Sequence, residues 1–371
     1  MAILSVVKTS SSGVGPSTAT SARPGPARVA RSLLVVVVVI TVLLAGGWEL
    51  GVQAALSEAA ATPTATSAPT GGADAALATS TPAPDSENGF PYAQAGRYRR
   101  ASGAIVEVSS FYSISLERPM AYAVVLPPGY EEGTRRYAVL TMLHGLAGGY
   151  GSWLELGLEE VFEELYAAGR IDPFIIALPE GEASYYVNHA DDGAAWGDYI
   201  GQDFVDQIDA TYRTFAAPAS RAIGGLSMGG EGALQLALNY PGVFEVVGAH
   251  TPTTRLDFAD APGSIYGDEE YWQEHNSLWL IENRDTVFAL QIWIDDGFDD
   301  VWLGAAEALH QALLGRGVAH QYHIYAGSHG YWAEVMDDYL RFYSAALETG
   351  GADPLQPIVP RRRAGRSIKT D

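Results

Sequence analysis

A chain of 371 residues, 47% of them apolar, is long enough for one large domain with extensions and can bury a sizeable core. It contains no cysteine, which excludes disulfide scaffolding, thiolate metal sites and a cysteine nucleophile. The formal net charge is −22, and much of the basic complement sits at the two ends; a body this acidic excludes nucleic acid and anionic membrane surfaces as partners.

Lys8, Arg23, Arg28 and Arg31 precede an unbroken apolar run from Leu33 to Ala45. Basic flanks stay on the cytoplasmic side, so the chain beyond the run is expected outside the cytoplasm. The run falls short of the roughly 20 apolar residues of a membrane span. Val52-Gln53-Ala54 offers a cleavage site after Ala54. Residues 1–54 are therefore expected to be a signal peptide or a single membrane anchor. Residues 55–90 are rich in Ala, Thr, Pro and Ser, cannot bury enough surface to offset ordering entropy, and are expected to form a disordered stalk. Residues 351–371, with Arg361, Arg362, Arg363, Arg366 and Lys369, read as a flexible basic tail. That leaves 91–350 as the folded domain.

Within it, short apolar runs alternate with helical patterns. Ala121–Leu126 reads as a strand stopped by Pro127-Pro128-Gly129, and Tyr137–Leu143 as a strand ending in His144-Gly145. A helix is predicted from Glu155 to about Ala168, a buried strand over Phe174–Leu178 and a helix over Gly201–Tyr212. Arg221–Gly225 leads as a strand into a glycine-flanked turn, and Gly229–Asn239 is the next helix. Val243–Ala249, Ala289–Ile294 and Gln321–Tyr325 read as further strands, Leu303–Leu314 and Trp332–Leu347 as helices. This alternation predicts an α/β domain with a mostly parallel sheet covered on both faces.

The sharpest local signal is Gly225-Leu226-Ser227-Met228-Gly229, a G-x-S-x-G sequence between a strand and a helix. Small neighbours relieve the crowding of so tight a turn. The turn lifts the Ser227 hydroxyl above the carboxyl end of the sheet and aims the Met228 N–H at a reacting carbonyl. A serine needs a base, and the base an orienting carboxylate. With this turn the chain order is serine, acid, histidine. Of His310, His320, His323 and His329, only His329 sits in a small-residue loop, Ala-Gly-Ser-His-Gly, at a strand's carboxyl end. The acid is expected after the preceding strand, where Asp295, Asp296, Asp299 and Asp300 crowd together. Asp299 and Asp300 follow Gly297, and the sequence does not separate them. These acids lack the alternating pattern of a calcium loop, so no metal and no cofactor is expected. The second oxyanion donor is expected from the loop His144-Gly145-Leu146-Ala147-Gly148-Gly149, as the Leu146 N–H, with His144 bracing the loop.

Taken together, Pro127-Pro128-Gly129-Tyr130, His144-Gly145, the run Gly224–Gly230, Ile294-Asp295-Asp296-Gly297 with Asp300, and Gly327-Ser328-His329-Gly330-Tyr331-Trp332 resemble a known family. It is the esterase family that includes esterase D (S-formylglutathione hydrolase), feruloyl and acetylxylan esterases, enterochelin esterase-like enzymes and the antigen 85 mycolyltransferases. The resemblance covers about residues 100–348 and implies an α/β-hydrolase fold and a Ser-Asp-His triad. In that family the acid of a Gly-x-x-Asp turn takes the triad role, which points to Asp300.

Tyr185, Tyr186, Asn188, Trp196 and Trp332 are candidates for a substrate wall, because the segment 180–196 follows a strand at the active face. Residues 251–287, with Tyr266, Tyr271, Trp272 and Trp279, form the longest insert. The expected substrate is a small-molecule or polysaccharide-linked carboxylic ester, such as an acyl or feruloyl ester of a carbohydrate. Two other readings stand beside hydrolysis: an acyltransferase with the same triad, and a non-catalytic binding module on the same scaffold.

Overall fold

The computed structural model describes residues 95–100 and 103–348. The predicted leader or anchor, the stalk and the basic tail lie outside the described residues. Among the described residues no helix is long and apolar enough to cross a membrane.

Nine strands form one sheet: β1 (Gly96–Arg99), β2 (Ile105–Ser113), β3 (Arg118–Leu126), β4 (Val139–Leu143), β5 (Ile175–Pro179), β6 (Arg221–Leu226), β7 (Val246–His250), β8 (Gln291–Gly297) and β9 (His320–Tyr325). Their order is β1-β2-β3-β5-β4-β6-β7-β8-β9. β5, β4, β6, β7, β8 and β9 run parallel, whereas β1, β2 and β3 pair antiparallel at one edge. The parallel strands β4, β5 and β7 are buried at every position, as continuous apolar runs between two helical layers must be.

The principal helices are α1 (Leu158–Ala167), α2 (Val205–Thr211), α3 (Met228–Asn239), α4 (Glu269–His275), α5 (Ser277–Asn283), α6 (Leu303–Arg316) and α7 (Met336–Ala346). α1 and α7 cover one face: Leu158, Phe162 and Leu165 recur at helical spacing and join Phe174, Tyr339, Leu340 and Tyr343 in one core. α2, α3, α5 and α6 cover the other, through Ile208, Leu234, Leu280, Ile281 and Leu309. α3 is buried from Met228 through Leu238, so its apolar sequence reflects a helix enclosed on all sides.

The elements differ from expectation in several places. β1, β2 and the helices α4 and α5 of the insert were not foreseen. The helix expected from Glu155 is broken in two, a turn over Ser152–Glu155 and then α1, because Gly157 between them takes the left-handed conformation, φ 83°. The helix expected from Trp332 begins only at Met336.

The crossovers position the site. From β4 the chain passes to β5 on one side, then to β6 on the other. The carboxyl ends of β4 and β6 therefore flank a topological switch point, where open α/β sheets hold their ligands. The loops of His144 and Ser227 meet there.

Candidate functional site

Ser227 stands between β6 and α3 with φ 57° and ψ −117°, a conformation that a non-glycine residue adopts only when its surroundings impose it. Its N–H donates to His250 O at 2.8 Å, and its carbonyl accepts from the N–H groups of Gly230, Glu231 and Thr253 at 3.0–3.3 Å. The flanking glycines are required by close packing. A Cβ on Gly225 would lie 2.3 Å from Gly229 O, and one on Gly229 would lie 2.6 Å from Leu143 O. Both obstacles are backbone and cannot swing away. Gly225→Ala is therefore expected to cost about 1–3 kcal/mol or more, as overpacked sites do; urea denaturation of the two proteins checks this.

His329 lies in the loop after β9 and Asp300 in the turn after β8. His329 Nδ1 meets Asp300 Oδ2 at 2.7 Å, and the Trp302 N–H donates to Asp300 Oδ1 at 3.0 Å. Asp299 is exposed, so of the two adjacent acids only Asp300 reaches the histidine. The two loops are drawn together at Gly297, where a Cβ would lie 2.6 Å from Gly327 O, and Asp299 N–H donates to that same carbonyl. Burial by itself raises the Asp300 carboxyl. The hydrogen bond from His329 and that from Trp302 outweigh it and hold the group below the usual aspartate range.

Gly145 abuts the nucleophile turn: a Cβ there would lie 3.3 Å from Ser227 Cβ. Gly148 N–H closes a tight turn onto Gly145 O, with Leu146 and Ala147 at its centre. The Leu146 N–H thus stands on the loop beside Ser227, and the Met228 N–H stands at the start of α3, directly after Ser227. His144 braces this loop as expected. Nδ1 meets Gly145 O at 2.8 Å, and Nε2 accepts the Gly181 N–H at 2.8 Å.

Three of the five proposed substrate-wall residues are corrected. Tyr186 is fully buried and donates its hydroxyl to His144 O at 2.9 Å, so it supports the loop from beneath. Trp196 is buried under the Arg118 guanidinium. Asn188 accepts the Gly197 and Asp198 N–H groups and caps a local turn. Tyr186 and Trp196 fill the interior because the loop folds back onto the body, whereas Asn188 is half-buried. Tyr185 is buried with its ring against the Arg255 guanidinium, and Trp332 stands at His329. Trp332 packs edge-on against His329, centroids 5.2 Å apart, and donates Nε1 to Thr251 Oγ1. Of the insert's aromatics, Tyr266 and Trp272 are buried packing.

Sequence reasoning missed two features. Arg255 lies over the rings of Tyr185 and Trp302, at 4.8 and 5.5 Å, and donates to the Tyr185 hydroxyl at 3.0 Å. Beneath Ser227, His250 and Asp295 are wholly buried and joined at 2.6 Å. Asp295 also accepts from Trp293, Tyr331 and Tyr339, and Tyr343 bonds the other nitrogen of His250. The available signal was an acid inside an apolar buried strand, which must be paired. Among the described residues no cluster of three His, Asp or Glu is placed to hold a metal ion.

The family model described as "Putative esterase" matches residues 113–343. An esterase of Mycobacterium tuberculosis is 31% identical over 180 residues, which take in 46% of this chain and 36% of that protein. This chain thus spans about a third of that relative's length. An S-formylglutathione hydrolase of Paracoccus denitrificans is 26% identical over 280 residues, 67% of this chain and 96% of that one. Among solved structures, a ferulic acid esterase superposes with a TM-score of 0.60 at 24% identity, covering 66% of this chain and 99% of its own. An S-formylglutathione hydrolase from Agrobacterium tumefaciens gives 0.60 at 21%, covering 68% and 99%. The fold shared with these neighbours is that of the α/β-hydrolases.

Proposed function

The chain belongs to the esterase family of that model, and from this premise we propose that it is a serine esterase hydrolysing carboxylic esters through Ser227, Asp300 and His329. The observation that carries the reading is the 2.7 Å contact of His329 Nδ1 with Asp300 Oδ2, in loops at the same end of the parallel sheet as the strained Ser227 turn.

With its Nδ1–H donated to Asp300, the His329 ring presents a free lone pair at Nε2. Ser227 Oγ attacks the ester carbonyl carbon and passes its proton to Nε2. The tetrahedral oxyanion is received by the Met228 and Leu146 N–H groups. The carbonyl re-forms, the carbon–oxygen bond to the alcohol breaks, and the alcohol leaves with the proton from Nε2. Water then repeats the sequence on the acyl-Ser227 ester, releasing the acid and restoring Ser227. Asp300 stays ionised throughout and steadies the imidazolium.

The acyl and alcohol parts are proposed as those of carbohydrate esters. Proteins similar to this chain that are named acetyl esterase and ferulic acid esterase support acetyl and feruloyl groups as the acyl part, and the Trp332 ring against His329 supplies an aromatic face suited to a sugar or aryl group. The test incubates the protein with aryl acetate and feruloyl esters, with and without a disaccharide acceptor. Release of free acid that the disaccharide leaves unchanged supports hydrolysis. Acylated disaccharide as the main product makes the chain an acyltransferase, and absence of both products makes it a binding module.

We further place the enzyme outside the cytoplasm, on the basic residues and apolar run of the N-terminus. A reporter active only outside the cytoplasm, fused after residue 90, is expected to be active. An expressed but silent fusion would sink this placement.

A further inference from the structure

We infer that Asp296 is a positioning residue that sits in the site as an uncharged acid and donates its proton in a hydrogen bond to the Asp300 carboxylate, holding that carboxylate toward His329. The inference rests on reading Ser227, Asp300 and His329 as the triad.

Asp295 and Asp296 are adjacent on β8 and both wholly buried, but a strand turns successive side chains to opposite faces. Their surroundings differ accordingly. Asp295 receives four donors, from His250, Trp293, Tyr331 and Tyr339, which together satisfy a buried carboxylate. Asp296 Oδ1 receives one backbone donor, the Gly297 N–H at 2.7 Å. Its Oδ2 is buried and meets no N–H or O–H donor among the described residues. What lies within hydrogen-bonding reach is the carboxyl of Asp300.

Two carboxyls in buried contact do not both ionise, because each charge opposes the other and neither is hydrated; one proton between them resolves the contact. Donors decide which oxygen keeps it. Asp300 has the His329 Nδ1–H and the Trp302 N–H, so the negative charge settles there. Asp296 has the single Gly297 N–H and takes the proton. In keeping with this, burial and then the Asp300 charge push the Asp296 carboxyl up to about 8, while Asp300 stays below its ordinary value. The titratable groups whose charge reaches Asp296 are Asp300 from the turn, Asp295 from the opposite face of its own strand, Tyr322 from β9 and Tyr331 from the loop after it. These are acids and phenols. His329 lies beyond Asp300.

Below about pH 8 the Asp296 O–H is thus one of three donors fixing Asp300. Above it the proton leaves, two carboxylates face each other, and Asp300 loses one of its donors.

Two variants of the full chain, Asp296→Asn and Asp296→Ala, test this beside the wild type. Asparagine keeps the shape, an acceptor for Gly297 N–H and a donor for Asp300, but does not titrate. The infrared difference spectrum, wild type minus Asp296→Asn at about pH 7, is expected to show the carbonyl band of a protonated carboxyl. The band is expected to vanish when wild type is brought to about pH 10. This reading does not depend on ester hydrolysis, so it fails separately from the triad; labelling of Ser227 by a fluorophosphonate tests the triad itself. With an aryl ester, wild-type kcat is expected to fall above about pH 8, and Asp296→Asn to lack that fall. Asp296→Ala is expected to lose about ten- to a hundredfold in kcat at all pH values with little change in KM, the worth of a hydrogen bond to a charged group. A wild-type spectrum without the protonated band overturns the inference, as does an Asp296→Asn enzyme that keeps the alkaline fall or an Asp296→Ala enzyme with wild-type kcat. Should either variant fail to fold, the wild-type infrared titration decides alone.

Discussion

Replacing Ser227 with alanine is expected to lower kcat on an aryl ester by about 10⁴-fold or more, because the members of a triad act as a unit and loss of the nucleophile removes the acyl-enzyme route. The variant should remain folded. A smaller side chain relieves crowding in the turn between β6 and α3, and the hydrogen bonds that hold the turn are made by the backbone of residue 227. A fluorophosphonate should label wild type at Ser227 and leave Ser227→Ala unlabelled, since the reagent needs an activated oxygen. Mass spectrometry of the labelled peptide, with a thermal melt of both proteins, reads the result. A Ser227→Ala protein that is still labelled, or that keeps wild-type turnover, means the chemistry lies elsewhere.

The second large effect separates two neighbouring acids. Asp300 Oδ2 stands 2.7 Å from His329 Nδ1, whereas Asp299 is exposed at the surface of the same turn. Asp300→Asn keeps the shape but presents an amide where the ring needs an acceptor, so the histidine is held in the wrong tautomer. A fall in kcat of about 10³- to 10⁴-fold is expected. Asp299→Asn should cost about tenfold or less, because a solvated charge acts weakly from a distance. Both are measured with one ester at one pH, alongside thermal melts. The opposite outcome, a dead Asp299→Asn and a nearly normal Asp300→Asn, would replace Asp300 by Asp299 in the triad.

Ser227 was legible because its turn is a local matter. Two glycines, a strand before and a helix after are all contained in about 20 residues, and the steric demand that selects glycine acts between near neighbours. His329 was legible for a similar reason, as the only late histidine in a small-residue loop after a strand. The choice between Asp299 and Asp300 came from the resemblance and not from the residues. Geometry separates them through contacts between loops about 30 residues apart, at Gly297 and Gly327. The wall residues went astray in the other direction. Tyr186, Asn188 and Trp196 stand in a loop at the active face, but that loop folds inward, with Tyr186 against the carbonyl of His144, and no periodicity in the segment records it.

The sequence by itself determined the α/β alternation, the strand–turn–helix that bears Ser227, the glycine loop after β4 and the family to which these motifs belong. Each depends on spacing along the chain, on apolar periodicity or on backbone crowding within a few residues. Tertiary structure brought Asp300 rather than Asp299 to His329, where the residues themselves left the two open, and it alone decided that the His250–Asp295 pair lies buried beneath the nucleophile and that Asp296 is left facing Asp300 with one backbone donor. These are matters of which partners a buried polar group finds. In a parallel sheet the partners come from other strands and the loops that follow them, so the free energy of pairing a buried charge is set by groups the local sequence does not contain.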